Sequence, residues 1–129
     1  VHLWSGAFGE YYVFHALSSM GNIVFRPKTK NRLNPDWECK DFVYEVKTKK
    51  HYSNSSSGEK TLGVPLKYAE VPILYQKPLK IIMVGGMEHD ALHKFGILGN
   101  KTTENKTRLL DCYQDLGITF HGASEIIDI

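Results

Sequence analysis

The sequence predicts one α/β domain in which helices flank a mixed β-sheet. Three observations lead to this class. The length of 129 residues suits a single hydrophobic core, and neither an internal repeat nor a linker divides residues 1–129. A helical pattern and a group of short strand patterns fill the first half, and strands alternate with helices in the second half. The composition, 42% hydrophobic and 23% charged, is ordinary for a globular protein.

The first half of the chain predicts a helix followed by three strands. Apolar residues recur at helical spacing ahead of Gly21, a residue type that suits the end of a helix. A basic loop separates the first strand from a hairpin, and a Ser/Gly-rich mobile loop follows the hairpin. In chain order, the helix, first strand, basic loop, two hairpin strands and mobile loop fall at residues 7–20, 22–25, 28–34, 36–39, 42–49 and 51–60.

The second half predicts alternating helices and strands. Pro72 interrupts a helical pattern, which predicts a bend or a helix that begins near it. The apolar run LKIIMV predicts a strand buried on both faces. A short helix, a longer helix that ends at Gly117 and a short last strand follow. In chain order these elements fall at residues 66–76, 79–84, 88–95, 103–116 and 118–121, and the apolar end at 126–129 is given no state.

Charge, cysteine count and hydropathy narrow the class of protein. The net charge of +2 is only mildly basic. No apolar run approaches the roughly 18–20 residues of a membrane span, so we expect no membrane partner. Cys39 and Cys112 lie far apart in no metal-binding or disulfide pattern. The N-terminal stretch lacks the basic and small-residue features of a signal peptide. We therefore expect an intracellular protein that is not secreted.

The hairpin brings acidic and basic side chains together. A two-residue turn at 40–41 places Cys39 opposite Phe42, and counting back places Asp36 opposite Glu45. Directly opposed residues on a hairpin hold their Cβ atoms about 4.5–5.5 Å apart. Lys47 lies two residues beyond Glu45 and so shares its face. The sequence thus predicts two carboxylates and one ammonium on a single patch.

This patch predicts a metal site and a reaction. Like charges placed opposite each other destabilise a hairpin, and a divalent cation would remove that cost. Carboxylate oxygens suit Mg²⁺, which is often shared with a substrate phosphate. We expect Mn²⁺ to substitute for Mg²⁺. Lys47 would orient an attacking water or stabilise charge on the phosphate. These groups predict hydrolysis of a phosphodiester bond.

A resemblance to a known family agrees with this chemistry. Pro35 and Asp36, eight further residues, and then Glu45-Val46-Lys47 resemble the signature of the PD-(D/E)XK nuclease superfamily, which has the restriction-endonuclease-like fold. The family core, a helix, a three-stranded meander, a helix and a strand, matches residues 6–84 in order. Residues 58–86 also resemble a stretch in nuclease-like proteins of large DNA viruses.

The resemblance implies roles for particular residues. Asp36 and Glu45 would bind Mg²⁺ with the help of Glu10 on the first helix, and Lys47 would serve the attacking water. The resemblance implies a DNA endonuclease that is a homodimer, in the manner of small nucleases, with no small-molecule cofactor beyond the metal. Restriction-like cleavage, nicking and resolution of Holliday junctions all stay open.

Basic residues near the motif predict contacts to a phosphate backbone, because lysine and arginine neutralise phosphates. We expect nucleic-acid contacts from Lys28, Lys30, Arg32, Lys49, Lys50, His51, Lys60 and Lys67.

Several alternatives accompany this interpretation. The second hypothesis is a catalytically silent nucleic-acid-binding domain of the same fold, and the third is an unrelated α/β protein that matches the motif by chance. Asp41 is an alternative acid, although the turn would direct it away from Glu45. His89 and His93 have a spacing that can bind zinc, but without a third ligand a surface pair is the better interpretation.

Overall fold

A computed structural model describes residues 6–49 and 57–127, and it confirms the α/β class. The strands are β1 (Trp37–Glu38), β2 (Val43–Lys49), β3 (Leu79–Gly85) and β4 (Ile118–Gly122). The helices are α1 (Gly6–Ser19), α2 (Ser57–Leu62), α3 (Val64–Lys67), α4 (Val71–Tyr75), α5 (Gly86–His93), α6 (Glu104–Asp115) and α7 (Ala123–Ile127). Within these ranges, no helix is both long and apolar enough to cross a membrane.

The four strands form one mixed sheet in the order β1-β2-β3-β4. β1 and β2 are an antiparallel hairpin, whereas β2, β3 and β4 run parallel to one another. Parallel neighbours need a crossover connection. Helices α2 to α4 lie on the connection from β2 to β3, and α5 and α6 lie on the connection from β3 to β4.

Helices cover both faces of the sheet. β3 is therefore buried along most of its length, as its apolar run predicts. Alternate residues of β2 serve the two faces: Tyr44 and Val46 pack with α1, and Val43 packs with α3 and α4. The core on the α1 face comprises Val13, Leu17, Trp37, Cys39, Tyr44, Val46, Ile82, Val84, Ala123 and Ile126.

The hairpin has the predicted register. Trp37 pairs with Tyr44, and the Cys39 N–H donates to the Phe42 carbonyl at 2.9 Å, which closes a two-residue turn. Continuing this register by one pair places Asp36 opposite Glu45. Trp37 is 8% exposed and lies in the core.

The predicted strand at 22–25 is absent from the described residues, where a single bridge replaces it. The Phe25 N–H donates to the Glu38 carbonyl at 3.0 Å, and the Glu38 N–H donates back at 2.8 Å. Pairing does not extend further because Pro27, two residues on, has no N–H to donate. In place of the predicted three-stranded meander, the structure has β2, the two-residue strand β1 and a single bridge on the outer edge of β1.

Other elements differ from the predictions in detail. The helical pattern at 66–76 is divided into α3 and α4, with Pro72 in the first turn of α4, and Gln76 ends α4 in a left-handed conformation with φ of 57°. Residues 57–60, predicted as loop, belong to α2, and the rest of that loop lies outside the described residues. The apolar end forms α7 as far as Ile127.

Candidate functional site

The predicted motif borders one cavity of about 340 Å³ between α1, β2 and α2. The cavity opens where β1 stops, because β1 pairs with only the first part of β2 and leaves the rest of that edge uncovered. Its walls are formed by Gly6, Glu10, Asp36, Glu45, Val46, Lys47, Thr48, Lys60 and Thr61. The structure therefore brings together all four residues expected at the active centre.

Asp36 completes the uncovered edge of β2 with its side chain. Its Oδ2 accepts from the Val46 N–H at 2.7 Å, and its own N–H donates to the Tyr44 carbonyl at 2.9 Å. The preceding residue, Pro35, is fully buried and has no N–H to extend the ladder. The Asp36 carboxylate therefore takes the place of a main-chain acceptor, which fixes its orientation beside the cavity.

Glu45 is the most deeply buried acid of the site. The residue is 5% exposed, and its Oε2 lies 3.3 Å from the Lys47 Nζ. Its Oε1 is also buried and has no hydrogen-bond partner in the part of the chain that the structure describes. A buried polar atom without a partner costs about 1–3 kcal/mol. Glu45 is thus held where a further positive ligand would be favourable.

Burial disfavours the charged forms of both motif acids. It raises the pKa of Glu45 to about 7, with the neighbouring Asp36 carboxyl adding to the effect and Lys47 opposing it. Burial also raises the pKa of Asp36, although the hydrogen bond from Val46 opposes this and the charge of Glu10 adds to it. Asp36 and Glu45 therefore do not readily carry a negative charge each near neutral pH, because two adjacent carboxylates repel one another.

Tyr68, which follows α3, lies close to the same two acids. Burial raises the pKa of its phenol, and the charges of Glu45 and Asp36 raise it further. The phenol is therefore neutral at physiological pH. Sequence patterns gave no sign of this contact, because no local spacing links Tyr68 to Asp36 or Glu45.

Glu10 approaches the motif from α1 and is ion-paired. Its Oε1 accepts from the Arg26 Nη1 at 2.8 Å, and its main-chain carbonyl accepts from the Trp37 Nε1 at 3.0 Å. The second bond fixes α1 against the hairpin. Arg26 was missed by sequence reasoning, since its partner lies 16 residues earlier and no local spacing links the two.

A close approach of α1 to β2 brings Glu10 to the cavity. A Cβ atom at Gly9 would lie 1.9 Å from the Thr48 Oγ1, so only glycine fits there. The Thr48 Oγ1 is buried and has no hydrogen-bond partner among residues 6–49 and 57–127. The glycine thus determines how near the first helix can come to the motif strand.

The basic residues predicted to contact nucleic acid are dispersed. Lys60 is exposed on the cavity rim. Lys28 and Arg32 are exposed in the 28–34 loop, and Lys67 is exposed at the end of α3. Lys30 is exposed, but its Nζ donates to the Leu74 carbonyl at 3.2 Å. Lys50 and His51 lie outside the described residues.

Lys49 is not the exposed phosphate contact that we expected. It is 7% exposed, and its Nζ lies 2.5 Å from the Asp90 Oδ2 on α5. Alternation along β2 places Lys49 on the same face as Lys47, but at this end of the strand α5 covers that face. The Lys49 ammonium is therefore neutralised by Asp90 inside the fold and is not exposed to a phosphate.

The donor set of the cavity suits a small hard cation. Oxygen ligands from one or two carboxylates are enough for Mg²⁺, which keeps several of its waters. Asp36 and Glu45 supply such oxygens, and the Glu45 Oε1 has no hydrogen-bond partner among the described residues. The described ranges hold no cluster of three or more His, Cys, Asp or Glu side chains arranged for a metal ion. The rings of His89 and His93 lie next to each other on α5, with centroids 4.7 Å apart and planes tilted by 53°.

Comparison of the chain with models of protein families, with curated proteins and with solved structures finds no match. The resemblance to PD-(D/E)XK nucleases therefore rests on the motif residues and on the order of the elements.

Proposed function

We propose that this protein is a divalent-metal-dependent nuclease that hydrolyses phosphodiester bonds in DNA. The observation that carries the proposal is the environment of Glu45. Its carboxyl is buried, has one oxygen without a partner among the residues that the structure describes, and lies beside Asp36 and 3.3 Å from the Lys47 ammonium. Such a group favours a cation, and strongly perturbed acids in a cavity are typical of functional sites.

Asp36 and Glu45 would hold the metal, Mg²⁺ or in its place Mn²⁺. When bound, such a cation draws charge from a phosphodiester and makes an attacking water more acidic. The Val46 N–H holds the Asp36 carboxylate in place, so little rearrangement would accompany binding. The Glu10 carboxylate also lines the cavity. Because it is already paired with Arg26, it would assist the metal site while Asp36 and Glu45 act as the main ligands.

Lys47 would act directly on the reacting groups. Its side chain is 36% exposed, so the ammonium reaches both the buried Glu45 carboxylate and the open cavity. A cation bound by Glu45 would compete with Lys47 for that carboxylate and free the ammonium to turn toward the substrate. There it would orient the attacking water or stabilise negative charge on the phosphate.

The proposed substrate is DNA, held by the exposed residues Lys28, Arg32, Lys60 and Lys67. A homodimer would offer one site to each strand, in keeping with the small surface of a 129-residue chain. The proposed compartment is intracellular.

The first test is cleavage of supercoiled plasmid in Mg²⁺, in Mn²⁺ and in EDTA. We expect cleavage with either metal and none with EDTA. Lys47→Ala should lower the rate by about 10²–10³-fold, because it removes charge stabilisation that acts in the transition state. Lys40→Ala is the matched control, since Lys40 is an exposed lysine of the same hairpin, in the turn away from the cavity. It should cleave as the unaltered protein does.

The outcomes separate the proposal from its rivals. Metal-independent cleavage, or full activity in Lys47→Ala, contradicts the proposed site. Binding of DNA without cleavage supports a silent nucleic-acid-binding domain of the same fold. A strong preference for four-way junctions over plasmid supports a resolvase.

A further inference from the structure

Arg26 is fixed at the edge of the cavity by three contacts. Its Nη1 donates to the Glu10 Oε1 at 2.8 Å and to the Asp36 carbonyl at 3.0 Å. Its guanidinium carbon lies 3.9 Å from the centroid of the Trp37 ring, in a cation–π contact. Both hydrogen-bond partners belong to residues that line the cavity. Arg26 is therefore held beside Glu10 and Asp36 and does not extend freely into solvent.

The fixed guanidinium still has donors to offer. The side chain is 60% exposed, although it is held at one end. Both of its hydrogen bonds come from Nη1, and the Nε and Nη2 groups donate to no atom of the residues that the structure describes. A guanidinium has five N–H donors in a planar fork, so about three remain. That fork matches two oxygens of one phosphate group.

We propose that Arg26 binds a backbone phosphate of the nucleic acid next to the bond that is cut. The inference rests on the proposed function and adds to it a specific phosphate-binding residue. The ligand is the oxyanion of a phosphodiester, recognised through Nε and Nη2. Contact with Asp36 sets this phosphate close to the carboxyls that would hold the metal.

The ion pair with Glu10 does not prevent this role. The pair uses one oxygen and one nitrogen and is partly exposed, with 60% of the Arg26 side chain and 28% of the Glu10 side chain accessible. Exposed ion pairs contribute little to stability, because water screens the two charges. The Trp37 ring already orients the guanidinium, so less side-chain entropy is lost when a phosphate arrives. Arg26 can thus keep its Nη1 contacts and bind an anion on its free side.

The test measures binding without cleavage. A short fluorescein-labelled duplex is titrated with protein in EDTA, and anisotropy is followed at several salt concentrations. Arg26→Ala should weaken binding by about tenfold, as expected for lost charged hydrogen bonds. It should also reduce the slope of log K against log[salt] by about 1. Arg26→Lys should restore the salt slope but not the full affinity, because lysine lacks the fork.

The matched control is Arg108→Ala on α6. Arg108 is 74% exposed and pairs with Glu104 at 3.3 Å, so it is an exposed arginine–glutamate pair away from the cavity. Its removal should leave both affinity and salt slope unchanged. With Mg²⁺ present, Arg26→Ala should raise KM for the duplex more than it lowers kcat. Urea unfolding of each variant shows that the comparison is made between folded proteins.

The results distinguish this inference from the proposed function. If Arg26→Ala binds the duplex as the unaltered protein does, while Lys47→Ala abolishes cleavage, then the phosphate contact is wrong and the nuclease stands. If the unaltered protein neither binds nor cleaves, both are wrong. Should Arg26→Ala fail to fold, Arg26→Lys decides, since affinity equal to that of the unaltered protein would overturn a role for the fork.

Discussion

Glu45 is a carboxyl whose surroundings oppose its own charge. Burial is the main cause, and the nearby Asp36 carboxyl adds to it. The Lys47 ammonium, 3.3 Å away, offsets only part of this cost, and it approaches one of the two oxygens. In a stable fold such an arrangement calls for a function, because an uncharged residue of similar shape would cost less to bury.

The raised pKa of Glu45 predicts how stability depends on pH. The folded carboxyl has a pKa of about 7, against an ordinary value of 4.5, so between these values the folded state binds more protons than the unfolded state. The free energy of unfolding should therefore fall as pH rises from about 4.5 to 7 and then level off. The loss should be on the order of 3 kcal/mol, measured by urea unfolding without divalent metal.

Replacement of Glu45 by glutamine isolates this effect. Glu45→Gln keeps the shape but does not ionise, so most of the fall in stability across that pH range should disappear. Glu70→Gln is the control, because Glu70 is an exposed glutamate that makes no side-chain cap to α4, and it should keep the slope of the unaltered protein. An unchanged slope in Glu45→Gln would show that the buried acid is not the source.

The roles of single residues could be predicted only where a local rule applied. A two-residue turn and strand alternation were enough to align Asp36 with Glu45 and to put Lys47 beside them. The partners of Arg26 and Lys49 lie 16 and 41 residues away in sequence. Such pairs form through packing of whole elements, which no local spacing encodes.

At the scale of elements, the contact between α1 and β2 determines the geometry of the cavity. Gly9 lets the helix pack directly on the Thr48 side chain, and Glu10 follows immediately. A helix interior does not favour glycine, which costs about 1 kcal/mol relative to alanine. The close approach therefore offsets a local preference against this residue.

Gly9→Ala should destabilise the protein by about 1–3 kcal/mol, because its Cβ would overlap the Thr48 Oγ1 and force α1 away from β2. The shift would also move Glu10 away from the cavity, so cleavage should fall. Gly6→Ala is the control in the same helix, since nothing lies within 4 Å of a Cβ there. It should be neutral or slightly stabilising in urea unfolding. Equal stability of the two variants would contradict the close contact.

Elements with strong patterns were predicted better than short ones. The apolar run of β3 and the break at Pro72 both follow from local chemistry. The prediction of a strand at 22–25 was wrong. The chain forms only a single bridge at Phe25, because Pro27 has no N–H with which to continue the pairing. The helical part of 51–60 was missed because Ser and Gly favour loops, whereas α2 packs against β2 at a distance in sequence.

At the scale of the whole molecule, the sheet places one end of its hairpin beside the first helix and leaves the edge of β2 open beyond β1. Helices pack on both faces of the sheet and bury β3, and the Val46 N–H holds the Asp36 carboxylate beside that edge. Preorganised carboxylates are what a catalytic metal site requires. The central claim is therefore that Asp36 and Glu45 together hold one divalent cation.

A crystal soaked in Mn²⁺ and measured for anomalous scattering tests this claim most directly. Glu45→Gln crystals soaked in the same way are the control. We predict one peak per chain in the cavity, bonded to both carboxyls at about the 2.0–2.1 Å typical of a small hard cation, and loss of that peak in the variant. A saturating soak that leaves the cavity without a peak, or a peak that survives in Glu45→Gln, would contradict the account.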